Sequence, residues 1–130
     1  MKAIDLWLQR WRIGKAGRHV PAGSVVLDVG SYDGALFRQL ADRIVDGVGI
    51  DEEIEASGQR DGFRLVKGRF PQDLDEDPFD VITMLAVLEH VPPDEQPAFA
   101  AACHRHLKPP RCAEASSKLR ARSFRIRAKP

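Results

Sequence analysis

Cysteine is scarce: Cys103 and Cys112 are the whole complement, too few for a disulfide framework, so a reducing cytoplasm is the default compartment. Together with His104 and His106 they match no zinc-ligand spacing, so no metal is expected. No apolar run approaches the roughly 18 residues that a membrane span needs. The N-terminal MKAIDLWLQRWRIGKAGR carries charges throughout and lacks the apolar centre of a secretory signal. Acidic residues are nearly missing from the last stretch. Residues 104–130 hold Glu114 alone beside nine Lys and Arg, whereas residues 1–103 hold 18 acids and 11 bases. What is present is an ordinary apolar fraction, 43% of 130 residues. It suits one soluble domain able to bury roughly two-thirds of its surface.

Periodicity orders the chain. Ile4, Leu6, Leu8, Trp11 and Ile13 among Arg and Lys form a loose helical stripe over 2–17, and Trp7 and Trp11, one turn apart, read as a packed face. Val25 to Val29 is a short buried strand closed by Gly30. Leu36, Phe37 and Leu40 give the next segment one helical face. Val45, Val48 and Ile50 make a second strand ending at Asp51. Residues 52–59 form a short acidic helix candidate, and Phe63, Leu65 and Val66 a third strand. After an acidic loop, the β-branched run 79–85 is the strongest strand. Asp94 is the expected N-cap of a helix to about Leu107, with Phe99, Ala102, Cys103 and Leu107 on its apolar face. Strands alternating with helices predict an α/β fold with a mostly parallel sheet.

The turn LDVGSYDG carries the chemistry. Ligands of such sheets sit beyond the carboxyl ends of the strands, where a first glycine turn lets backbone approach closely. The following helix start offers free N–H groups. Asp51 lies 21 residues after Gly30, near the spacing of about 20 for a carboxylate that binds ribose hydroxyls. A dinucleotide loop needs glycine where Tyr32 stands, because pyrophosphate presses on the backbone there. A nicotinamide dinucleotide domain is therefore the weaker alternative. Gly30 and Gly34 also have the plainer reading of turn glycines, Asp28 that of a loop organiser, and Glu89 and His90 that of helix-start residues. Tyr32 either covers a ligand or caps the turn.

VLDVGSYDGAL resembles motif I of the class I S-adenosylmethionine-dependent methyltransferases, with Asp28, Gly30 and Gly34 on pattern and Tyr32 off it. VGIDEEIE resembles the family's second-strand motif, and FDVITMLAVLEHVPPDEQPAFAAACHRHLKP its fourth strand and next helix. The resemblance covers about 20–109. It implies S-adenosylmethionine as cofactor, with Gly30, Ser31, Tyr32 and Gly34 lining the methionine end, Asp51 on the ribose and Glu52 beside the adenine. Arg69 and Phe70 stand where an acidic residue often meets the adenine amino group, so backbone N–H and ring packing replace that contact. Met84 and Leu85 offer carbonyls to the methionine amino group. His90 is the candidate base or acceptor-orienting residue for in-line methyl transfer.

The resemblance implies the family's sheet order 3-2-1-4-5-7-6, of which only the 3-2-1-4 half is present, with helices on both faces. The domain is expected over 1–109, followed by a basic tail, 110–130, where a truncated or frame-shifted gene is suspected. Strand 79–85 then becomes an open edge suited to a homodimer. Phe124, Ile126 and Ala128 alternate with basic residues, so 122–128 is a candidate strand for that edge. The methyl acceptor, a small molecule or other group, is not legible. The basic tail supports the other alternative, a nucleic-acid-binding protein; no membrane partner is expected.

Overall fold

The computed structural model describes residues 2–75, 78–85 and 87–109. The chain runs α1 (Ala3–Gly17), β1 (Ser24–Val29), α2 (Ala35–Gln39), β2 (Ile44–Asp51), β3 (Gly58–Arg60), β4 (Phe63–Lys67), β5 (Val81–Thr83), a 3-10 turn (Leu88–His90) and α3 (Gln96–His106). The sheet order is β3-β4-β2-β1-β5. β4, β2, β1 and β5 pair in parallel, and β3 lies antiparallel on β4. The expected 3-2-1-4 half-sheet is therefore present, with one added edge strand.

Side chains alternate across the sheet and feed two cores. Val26 joins Ile13, Phe37 and Leu40 on the α1 and α2 face. Leu27 and Val29 join Ala102, Cys103 and Leu107 on the α3 face. Phe37 of α2 stacks on Phe63 of β4 with ring centroids 4.8 Å apart. On the other face Phe99 meets Phe70 edge-on at 5.3 Å.

Four expectations are corrected. Residues 52–59 are not a helix; they turn and enter β3, which forms a hairpin with β4. Asp61 and Gly62 sit at the tip with φ of 53° and 83°. Two adjacent left-handed residues are what a tight hairpin of the primed type demands, and Asp-Gly meets that demand. The acidic segment offers Ile54 alone as a buried residue, too little of an apolar face to hold a helix against this turn. The run 79–85 is a strand only over Val81–Thr83. At its start the Phe79 N–H donates to the His106 carbonyl and the Lys108 N–H to the Phe79 carbonyl, both at 2.8 Å. Phe79 thereby bridges Leu107 in parallel. The edge next to β5 is thus covered at one end by residues following α3. Asp94 is not the N-cap of α3: Glu95 holds that place without a side-chain bond, and Pro97 fixes the first turn. Finally, the apolar residues of α1 do not form one buried stripe. Ile13, Ala16 and Gly17 are buried, while Ile4 and Trp11 face outward. The boundary after Pro109, the basic tail and the candidate strand 122–128 lie outside the described residues.

Candidate functional site

The turn after β1 holds three left-handed residues within five positions: Gly30 (φ 80°), Tyr32 (φ 49°) and Gly34 (φ 77°). Gly30 is required twice over. Its φ disfavours an L side chain, and a Cβ there would lie 2.3 Å from Val87 Cγ2. Its N–H donates to the Ile50 carbonyl at 2.8 Å, which ties the turn to the end of β2. Tyr32 is held by its neighbour in space: its N–H donates to Asp51 Oδ2 at 2.9 Å. The other oxygen, Oδ1, accepts from the Glu53 N–H at 3.0 Å. A carboxylate has about four acceptor positions, so Asp51 keeps capacity on both oxygens for hydroxyl donors. Tyr32 is 46% exposed beside the turn.

A cavity of about 330 Å³ opens beside this turn. Asp28, Gly30, Ser31 and Leu85 form one side, and Asp5, Leu8, Gln9, Arg12 and Ile13 of α1 form the other. Ser31 is buried, and among the described residues its Oγ has no hydrogen-bond partner. Gly49 of β2 leaves the room that the Ser31 side chain occupies, since a Cβ there would meet Ser31 Oγ at 2.4 Å. The hydroxyl is thus inaccessible against β2 rather than open to the cavity, and a buried hydroxyl without a partner is costly. Asp28, also buried, accepts from the Thr83 hydroxyl at 2.8 Å. Burial pushes its carboxyl up to about 7; the Thr83 bond opposes the rise and the charge of Asp51 adds to it.

The structure thus brings Asp28, Gly30, Ser31 and Leu85 into one cavity and joins Asp51 to it through Tyr32. Gly34 is the N-cap of α2 in the same turn. Glu52 and Arg69 lie together beyond Asp51, paired at 3.2 Å on the surface. The side chains of Phe70 and Met84 are buried in the α3-side core. His90 is on the 3-10 turn with its side chain 79% exposed beside Glu89, outside the cavity lining.

The α1 wall was not legible as a site. A search for apolar periodicity passes over a face whose key members are Asp5, Gln9 and Arg12. Their spacing of i, i+4 and i+7 was the available signal, because it aligns three hydrogen-bonding side chains on one helical face. Thr83 carried no signal until β5 lay beside β1.

Comparison with known proteins follows the same outline. Residues 7–128 match the family described as "Methyltransferase domain". The chain belongs to this methyltransferase family. A ubiquinone biosynthesis O-methyltransferase of Methylococcus capsulatus is 34% identical over an alignment 98 residues long, with 68% of this methyltransferase-domain chain and 40% of that relative covered. One from Pseudomonas aeruginosa is 33% identical over 99 residues, covering 68% and 41%. The chain therefore spans about 40% of the length of the curated relatives it matches. Among solved structures, the Burkholderia thailandensis 1,6-didemethyltoxoflavin-N1-methyltransferase superposes with a TM-score of 0.63 at 19% identity, over 81% of this chain and 51% of that one. It holds 1,6-didemethyltoxoflavin and S-adenosylhomocysteine. CalS10, an amino pentose methyltransferase of Micromonospora echinaspora described as S-adenosylmethionine-bound, gives 0.53 at 26% identity, over 77% and 44%.

Proposed function

We propose that this chain binds S-adenosylmethionine and directs its methyl group to a small-molecule acceptor, with a hydroxyl oxygen the first acceptor to try. The observation that carries the reading is the conjunction of the Gly30 turn with Asp51, locked together by the Tyr32 N–H bond at 2.9 Å. The cofactor is compatible with the residues present. Gly30 leaves backbone accessible to the cavity, and Asp51 retains acceptor capacity for a vicinal diol. S-adenosylmethionine supplies an electrophilic methyl on a positive sulfur, so the protein's contribution is alignment and exclusion of water. Asp51 orients the sugar end, the Gly30 turn presents its backbone, and α1 closes the opposite side. The names of the curated relatives favour an oxygen acceptor. The pyrophosphate of a dinucleotide is disfavoured by the Tyr32 side chain, and no described residue supports nucleic-acid recognition.

Calorimetric titration with S-adenosylhomocysteine tests this reading. Binding is expected, with Asp51→Ala weakening it roughly tenfold to a hundredfold, the scale of hydrogen bonds to a charged acceptor. NAD is expected to give no heat. Failure of S-adenosylhomocysteine to bind, or equal binding by Asp51→Ala, removes the proposal. A homodimer paired along the outer edge of β5 is the assembly that this edge supports.

A further inference from the structure

The outward face of α1 is unlike the rest of the surface. Ile4, Trp7, Trp11 and Lys15 follow one another at i, i+3, i+7 and i+11, so they line one side of the helix. Ile4 is 63% exposed, Trp7 61% and Trp11 47%. The two indoles stack with centroids 6.4 Å apart and planes 12° apart. Lys15 Nζ stands 4.3 Å from the Trp11 ring centre. Exposed tryptophans rarely gather without something to cover them.

Charge selects the occupant. Residues 2–18 hold five bases, Lys2, Arg10, Arg12, Lys15 and Arg18, against Asp5 alone. Residues 19–103 hold 17 acids and six bases. The helix is a cationic strip on an acidic body. A second copy of α1 would bring the same cations to the contact, and the basic segment 104–130, with its one acid, would be repelled in the same way. An anionic surface is attracted to the strip and repelled by the body, which fixes the orientation of approach. Tryptophan and aliphatic side chains on one face with lysine and arginine around them match the interface of an anionic lipid bilayer. There the indoles rest at headgroup depth, and lysine reaches the phosphates from an apolar stem.

We propose that the outer face of α1 is a docking surface for anionic lipid membranes, holding the protein on the bilayer without spanning it. Among the described residues no helix is long and apolar enough to cross a membrane. This docking surface does not rest on the cofactor reading.

The chain's two tryptophans are both in this face, so tryptophan fluorescence, excited selectively over Tyr32, reports on it alone. The full chain is to be mixed with vesicles of phosphatidylcholine, or of phosphatidylcholine and phosphatidylglycerol in equal parts, and then floated. Co-flotation and a blue shift of emission are expected with the anionic vesicles only, both weakening as salt is raised. Trp7→Ser with Trp11→Ser should abolish flotation. Both positions face solvent, and unchanged far-UV circular dichroism verifies the fold. Lys15→Glu with Arg18→Glu keeps the fluorophores and should lower vesicle partition roughly tenfold or more. Four results overturn the proposal: absence of flotation, flotation without a blue shift (which assigns binding to the basic tail), undiminished flotation of the double tryptophan variant, and a blue shift that grows with protein concentration in the absence of lipid (which assigns the face to a second copy).

Discussion

At the scale of single residues, Asp28 and Asp51 show how one residue type takes two roles. Asp51 stands at the end of a strand with two backbone N–H donors on its oxygens. Asp28 is sealed beneath the turn with one hydroxyl, and burial raises its carboxyl from an ordinary value near 3.8 to about 7. A raised value means that the folded chain holds this proton more tightly than the unfolded chain. The associated stability is therefore complete below about pH 4 and is lost as pH climbs toward about 7. Asp28→Asn keeps an oxygen for Thr83 and cannot ionise. Its stability relative to the parent should rise by about 1.4 kcal/mol per pH unit within that window and level off above it. Urea unfolding of both proteins across this range measures the difference, and a difference independent of pH would contradict the burial account. Tyr32 belongs to this scale as well. Tyrosine is accommodated in place of the glycine of a dinucleotide loop because its N–H, held by Asp51 Oδ2, fixes the turn in a left-handed conformation.

Among the elements, β1 and β2 were legible, because their short apolar runs and the Gly30-to-Asp51 spacing follow from the geometry of a βαβ unit, while the order of the parallel strands came from the resemblance to the methyltransferases. The hairpin was not. Acidic residues at 52–55 imitate the first turn of a helix, and that local resemblance hid the stronger signal of Asp61-Gly62. Arg38 reinforces the outcome by bonding both the Asp33 carbonyl, at 2.7 Å, and Asp61, at 3.5 Å, although so exposed a pair adds little energy. The left-handed tip is the sensitive point. Gly62→Ala should cost about 1 kcal/mol or more of stability by thermal unfolding. A neutral result would show that the hairpin contributes nothing to the folded state. In α1 the helix itself was evident, but the facing of its residues was not. A face is recognised by hydrophobic periodicity only when its neighbour is apolar, and here one neighbour is a polar cavity.

For the whole molecule, the four parallel strands with α1 and α2 on one face and α3 on the other form half of the sheet expected from the sequence. Phe79, His106 and Lys108 begin to clothe the β5 side through two hydrogen bonds of 2.8 Å. Val81–Thr83 has no strand on its outer side among the described residues. Backbone groups along such an edge readily pair with another chain. Sedimentation equilibrium should return the mass of a dimer, and Ile82→Pro should return it to a monomer by removing the strand's N–H at that position. A parent protein that sediments as a monomer at all concentrations would exclude edge pairing.

α1 serves two sides at once, a polar wall toward the cavity and an aromatic stripe toward the outside. Such a helix makes the two sides thermodynamically accountable to each other. If a ligand in the cavity steadies α1 in the pose that the outer face needs, surface affinity rises by some factor. Reciprocity then requires surface attachment to tighten the ligand by that same factor. The helix would act as a shared ledger in which neither occupancy can be altered privately.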